Sequence, residues 1–222
     1  MSTLSKEQLQ NISLAYDSDP WWYDIRGFCI LTLSYRVSLL DQIRFFAQNI
    51  SDNHLEVAIG SGSLFSLILR YQALRGCHPK RIVAFDYAES MLAGAIKKLA
   101  SNPGIELCVA DVTKLPFAND QFDSVSVANA IHCFADLDSA LKELNRTLKP
   151  NGTMACNVLL HPRGPRPLRW IANQINRWGI KKGILVTPYA ADEFLTRLRA
   201  AGFQIKMHRI CGNSMNVVAT RI

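Results

Sequence analysis

None of the six cysteines (Cys29, Cys77, Cys108, Cys133, Cys156, Cys211) pairs with another as C-x-x-C. A scattered set in a chain of 222 residues fits reduced thiols, so neither a zinc site nor a disulfide framework is expected. Glycine and proline are scarce, at 12 and 9 residues, and no repeat period is visible. That excludes collagen-like and low-complexity chains. Long apolar runs are missing as well. The greasiest stretch, residues 27–40, is shorter than the ~20 residues that cross a bilayer, and Arg36 interrupts it. Residues 1–20 are polar and acidic rather than basic then apolar, so no secretory signal is read there and a cytoplasmic location is expected. No G-x-x-x-x-G-K-[ST] phosphate loop occurs. Acidic residues nearly vanish from the last third. Residues 151–222 hold 11 Lys and Arg against only Asp192 and Glu193, while the rest of the chain is close to neutral. Such a basic segment points to an anionic partner or to a solvated basic surface.

What is present suits one domain with a large core: 49% of residues are hydrophobic and 19% charged. Apolar residues at three- and four-residue steps predict a helix over residues 29–50. Strands are then expected at 54–60, 81–87, 105–112, 122–129 and 153–160, with helices at 63–75, 89–100 and 137–148 between them. Continuous apolar strands joined by helices imply a parallel sheet covered on both faces. The chain closes with a helix at 190–201 and strands at 203–211 and 214–222. Gly212-Asn213 is too short for a parallel crossover, so this last pair is an antiparallel hairpin. The expected fold is therefore α/β: a doubly wound, mostly parallel seven-stranded sheet with a C-terminal antiparallel hairpin.

The ligand chemistry gathers at the strand ends. Glu56 is followed by Gly60-Ser61-Gly62 and then at once by a helix, a turn that brings backbone N–H groups close to a ligand. The dinucleotide fingerprint G-x-G-x-x-G fails because its third position is Phe65. A carboxylate beside the turn repels pyrophosphate but suits an ammonium. Asp86 ends the second strand, where it can accept both ribose hydroxyls, and Asp111 ends the third, where it can accept from an adenine amino group. An amine, a ribose and an adenine without phosphate describe S-adenosylmethionine.

The segments LEVAIGSGSL (55–64), IVAFDYAESML (82–92), VADVTKLPFANDQFDSV (109–125), NAIHCFAD (129–136) and LKPNGT (148–153) resemble, in that order, the class I S-adenosylmethionine-dependent methyltransferases. The likeness is greatest to the group that includes ubiquinone/menaquinone-biosynthesis and related small-molecule and lipid enzymes. Tyr16-Asp17 and Tyr23-Asp24 resemble its paired Tyr-Asp opening. The resemblance implies that Glu56, Gly60 and Gly62 hold the methionine end. It places Asp86 on the ribose, Met91 and Asp111 on the adenine and Asn129 near the reacting centre, with Ser61, Tyr87 and Val112 as further cofactor contacts. Ala58 stands where the family's first glycine would be, which is tolerable if the backbone there keeps a negative φ.

On the substrate side, His132 falls in the segment that the resemblance puts in the cleft, as a base or as an orienting group. Tyr16, Trp21, Trp22 and Tyr23 are candidate substrate contacts or a staple for the first helix. Residues 161–188 form an insertion longer than a usual loop. There Leu168, Ile171, Ile175 and Trp178 share a helical face among six Lys and Arg and no acid, with Trp170 as a further substrate contact. This basic helix suits either an anionic lipid surface or solvent. The implied organisation is one methyltransferase domain over 1–222, with a helical lid (1–50), a cofactor core (51–160), the basic insertion (161–188) and the closing helix and hairpin (189–222). The expected activity is metal-free methyl transfer to a small lipophilic acceptor. The alternatives are an RNA methyltransferase, for which Asn129-Ala130-Ile131-His132 lacks the Asn-Pro-Pro-aromatic motif, and a non-catalytic S-adenosylmethionine-binding protein. Nucleic acid is accordingly not the expected partner.

Overall fold

A computed structural model describes residues 36–102, 104–182 and 185–222. Seven strands form one sheet: β1 (Asn53–Val57), β2 (Arg81–Asp86), β3 (Ile105–Val109), β4 (Phe122–Val127), β5 (Leu148–Leu159), β6 (Phe203–Cys211) and β7 (Ser214–Arg221). Their order is β3-β2-β1-β4-β5-β7-β6. The β1–β2, β1–β4, β2–β3 and β4–β5 pairs are parallel, and β5–β7 and β6–β7 are antiparallel. The strand order reverses between β1 and β4, and open α/β sheets bind ligands outside the carboxyl ends at such a point. The expected doubly wound sheet and closing hairpin are thus both found.

Six α-helices lie among the described residues: α1 (Leu39–Ala47), α2 (Ser63–Leu74), α3 (Glu89–Leu99), α4 (Leu137–Thr147), α5 (Arg166–Lys181) and α6 (Ala191–Ala200). Alternation along the strands sorts the core into two layers. Leu55, Val57, Val83, Phe85, Val125 and Val127 pack with Leu141 and Leu144 of α4 and with Phe194 and Leu198 of α6. Ile82, Ala84 and Ala155 meet Phe46 of α1, Phe65 and Ile68 of α2, and Ala95 and Leu99 of α3. His54 and Glu56 alternate with Leu55 and Val57, so they face this second layer. No helix among the described residues is long and apolar enough to cross a membrane.

Several boundaries differ from the expected ones, each for a local reason. The first helix starts at Leu39 rather than at residue 29, because Ser38 is extended and its hydroxyl accepts from the Asp41 N–H at 3.4 Å. Arg36 is left-handed (φ 57°), and residues 29–35 lie outside the described set. β3 stops at Val109, not 112, because Asp111 turns the chain by accepting from both the N–H and the hydroxyl of Thr113 at 2.8 Å. β5 starts five residues early. Leu148 already pairs with Phe122, and an irregularity absorbs Pro150-Asn151-Gly152 before Thr153 pairs with Ser124. Gly152 is required there, since a Cβ would stand 2.8 Å from the Lys149 carbonyl oxygen.

Candidate functional site

The turn after β1 is built on three left-handed residues. Gly60 (φ 59°) and Gly62 (φ 74°) are left-handed, and so is Ala58 (φ 53°). The condition of a negative φ at Ala58 is therefore not met: the turn takes the left-handed form although an alanine supplies it. An alanine there is strained by about 1–2 kcal/mol. Gly62 also has no space for a side chain, because a Cβ would lie 3.1 Å from both Cα and Cβ of Ala95 on α3. This close approach of turn and helix replaces the small residue missing at Phe65. At the same turn the Ser61 and Ser63 hydroxyls are 3.1 Å apart, and Lys98 of α3 donates to Ser63.

Asp86, the last residue of β2, organises this turn. Its Oδ2 accepts from the Gly60 N–H at 2.8 Å and its Oδ1 from the Ala88 N–H at 2.9 Å. Burial pushes its carboxyl above the ordinary value, and the N–H groups of Ala88, Gly60 and Tyr87 oppose that rise. With three N–H groups on its two oxygens, the carboxylate keeps one further acceptor position among the described residues. Asp111, two residues past β3, commits Oδ1 to Thr113, and its Oδ2 has no hydrogen-bond partner among the described residues.

Glu56 is only 2% exposed, beside Ala84 and Ser126 in the register. Burial raises its pKa well above the ordinary carboxylate value. Its Oε2 lies 3.3 Å from Nε2 of His54, whose Nδ1 lies 2.8 Å from the Ser124 hydroxyl. That hydroxyl accepts from the Ser51 N–H at 2.8 Å. Burial lowers His54 to about 3, so the imidazole is neutral. A neutral imidazole suits either charge state of Glu56: it donates from Nε2 to a carboxylate, or accepts there from a carboxylic acid.

Across the switch point, Asn129 follows β4 in a left-handed conformation (φ 57°). Its N–H donates to Oδ1 of Asn157 at 2.6 Å, and Asn157 Nδ2 donates back to Asn129 Oδ1 at 2.7 Å. Gln42 of α1 accepts from Asn129 Nδ2 at 3.1 Å. His132 sits in a short 3₁₀ turn, Ile131–Cys133, and is buried, which lowers it to about 3. Its carbonyl oxygen accepts from the Val186 N–H at 3.0 Å, tying this turn to the end of the insertion. A neutral, buried imidazole is a weak base and a good orienting group.

Residues 55–156 match the methyltransferase domain family. The matched segment is less than half of the chain. A ubiquinone/menaquinone biosynthesis C-methyltransferase of Rickettsia prowazekii is 36% identical over 111 residues, 49% of this chain and 44% of that protein. A demethylmenaquinone methyltransferase of Staphylococcus saprophyticus is 33% identical over 88 residues, 40% of this chain and 38% of that protein. The matched part thus spans less than half the length of these curated relatives. An S-adenosylmethionine-dependent methyltransferase structure from Aquifex aeolicus superposes with a TM-score of 0.64 at 19% identity, covering 93% of this chain and all of that one. The chain has the fold of that protein.

Within the matched segment, the structure gathers Glu56, Gly60, Ser61, Gly62, Asp86 and Asn129 around the ends of β1, β2 and β4. Tyr87 is exposed next to Asp86, Val112 is half-buried beside Asp111, and Met91 is fully buried in the first turn of α3. Trp170 is 63% exposed on α5, the placement of a surface residue rather than of a pocket wall. Tyr16, Trp21, Trp22 and Tyr23 lie outside the described residues. The sequence reading missed His54, Gln42 and Asn157. His54 carried a usable signal, since it stands two residues before Glu56 on a strand and so shares its face. Gln42 reaches Asn129 from 87 residues away, and no local pattern announces that.

Proposed function

We propose that the chain transfers the methyl group of S-adenosylmethionine to a small lipophilic acceptor, by direct in-line displacement that calls for no metal. The observation that carries this reading is the row Glu56, Asp86 and Asp111 at the carboxyl ends of three neighbouring parallel strands. The residues fit the cofactor. Asp86 keeps an acceptor position at the strand end, where a ribose hydroxyl can donate to it. Glu56 is a buried acid with one hydrogen-bond partner among the described residues, an incomplete set that an ammonium completes. Oδ2 of Asp111 serves the adenine amino group. When bound, S-adenosylmethionine supplies an electrophilic methyl on a sulfonium.

The chain's own groups then position and desolvate. The pair of asparagines fixes the floor of the cleft, and positioning of this kind accounts for much of the acceleration of a methyl transfer. We assign His132 the orienting role, because a group lowered to about 3 removes protons poorly at neutral pH. Relatives named for ubiquinone and menaquinone biosynthesis support a lipophilic acceptor. In this reading residues 51–160 hold the cofactor and 161–222 close the sheet and the acceptor side.

The test is transfer of tritiated methyl from S-adenosylmethionine in the presence of a bacterial lipid extract or total RNA. Label in the organic phase is the expected result. Label confined to RNA replaces the proposal by the RNA methyltransferase reading, and cofactor binding without any transfer replaces it by a non-catalytic one.

A further inference from the structure

The helix α5 (Arg166–Lys181) is exposed over most of its length. Only Ala172, Asn176 and Gly179 are buried, a narrow seam at four- and three-residue steps. The seam is tight at its end, where a Cβ on Gly179 would stand 3.3 Å from Cβ of Leu185. The start of the insertion is pinned too: Asn213 of the hairpin turn accepts from the N–H groups of Leu160 and Arg163, both at 2.8 Å. The helix is thus held at both ends and along one seam, with its other faces outward.

Those faces carry large apolar groups. Leu168, Ile171 and Ile180 are exposed, as are Trp178 at 41% and Trp170 at 63%. They also carry positive charge. Arg166, Trp170, Arg177 and Lys181 fall at steps of four, seven and four, which places them on one stripe opposite the seam. With Arg163, Arg169 and Lys182 the segment holds six Lys and Arg beyond Trp170 itself. Not one of these six takes part in an ion pair among the described residues, although seven such pairs occur elsewhere. No Asp or Glu stands between Glu143 and Asp192.

We infer that α5 is a docking surface for a membrane rich in anionic lipid, lying flat with its cations among the phosphates and its tryptophans at headgroup depth. Charge complementarity names the occupant, and the apolar groups distinguish it from a purely electrostatic partner. A partner that meets only the cations leaves Ile171, Trp178 and Ile180 in water. A lipid interface buries both sets at once. The Val186 N–H bond to the His132 carbonyl connects this surface to the acceptor side of the cleft, so a docked protein would take a lipophilic acceptor without passing it through water. The inference does not depend on methyl transfer, because vesicle binding is read without turnover.

The full chain is sedimented with vesicles of phosphatidylcholine alone and of phosphatidylcholine with 40% phosphatidylglycerol, at low and high salt, while tryptophan emission is followed. Binding to the anionic vesicles alone, lost at high salt and accompanied by a blue shift, is the expected result. The triple variant Arg166→Gln, Arg177→Gln, Lys181→Gln should lose roughly fivefold in partition per cation, or about 100-fold in all, with unchanged melting temperature and S-adenosylmethionine affinity. Trp170→Ser should abolish much of the blue shift while keeping the salt dependence. Equal retention by both vesicle types, or full binding by the triple variant, overturns the inference. So does displacement from the anionic vesicles by micromolar single-stranded RNA, which would give the surface to nucleic acid.

Discussion

Replacing Glu56 by Gln should weaken the cofactor and strengthen the fold in one step. The carboxyl is buried and its pKa is raised by that burial, so the folded state holds its proton more tightly than the unfolded chain does. The sign is opposite to that of a salt-bridged acid. The contribution of Glu56 to stability is intact at acidic pH and is lost as pH rises from the ordinary glutamate value through the elevated folded one. At neutral pH and above, Glu56→Gln removes that penalty while keeping shape and a partner for His54. A gain of about 1 kcal/mol is expected, read as a rise of about 2–4 °C in melting temperature. Binding moves the other way. An ammonium favours the ionised carboxyl, so S-adenosylmethionine binding should release a proton and tighten with pH. Below the pKa of Glu56 in the free protein the slope approaches tenfold per pH unit. Gln cannot supply the charge, and loss of a charged hydrogen bond of about 1.5–3 kcal/mol means roughly 10- to 150-fold weaker binding with no pH slope. Calorimetry in two buffers of different ionisation enthalpy counts the proton. An unstabilised Glu56→Gln protein that binds as tightly as the parent, with the same pH slope, would refute both halves of the reasoning.

Ala58→Gly should stabilise the protein by about 0.5–1 kcal/mol in denaturant titration, because relief of a left-handed alanine exceeds the added chain entropy. Gly62→Ala should cost about 1–3 kcal/mol by the same measurement, since it combines φ 74° with a Cβ 3.1 Å from Ala95. For His132, whose burial holds it at about 3, His132→Asn should keep most turnover and the parent should show no acidic limb near pH 6.5. A 10²-fold loss together with such a limb would restore it as a general base.

The central strands β1, β2 and β4 were legible because each buries both faces and so reads as an apolar run, as in IVAF (82–85) between the two core layers. The carboxylates at 56, 86 and 111 were legible because a strand end followed by glycine or a helix start marks where side chains meet a ligand. What stayed hidden depends on register. His54 meets Ser124 only because β1 and β4 pair in parallel, and Asn129 meets Asn157 only because β5 runs on past Cys156, the partner of the last residue of β4. The handedness at Ala58 was hidden for a related reason. The turn's geometry is set by Asp86 drawing in the Gly60 N–H from another strand, and the residue at position 58 has to conform. At Ser38 the local cap outweighed an apolar periodicity that runs on before it.

The central claim is that three carboxylates at neighbouring strand ends hold S-adenosylmethionine at the switch point. Asp86 tests it most directly, with one complication. Asp86→Ala also strips the Gly60 and Ala88 N–H groups of their acceptor, so it loosens the turn. Asp86→Asn keeps a carbonyl oxygen for one of them and serves as its companion. Calorimetric titration with S-adenosylmethionine should show one site per chain in the parent, with binding roughly 10- to 150-fold weaker in Asp86→Ala and intermediate in Asp86→Asn. Equal affinity in all three proteins, or binding of NAD as tight as that of S-adenosylmethionine, would contradict the account.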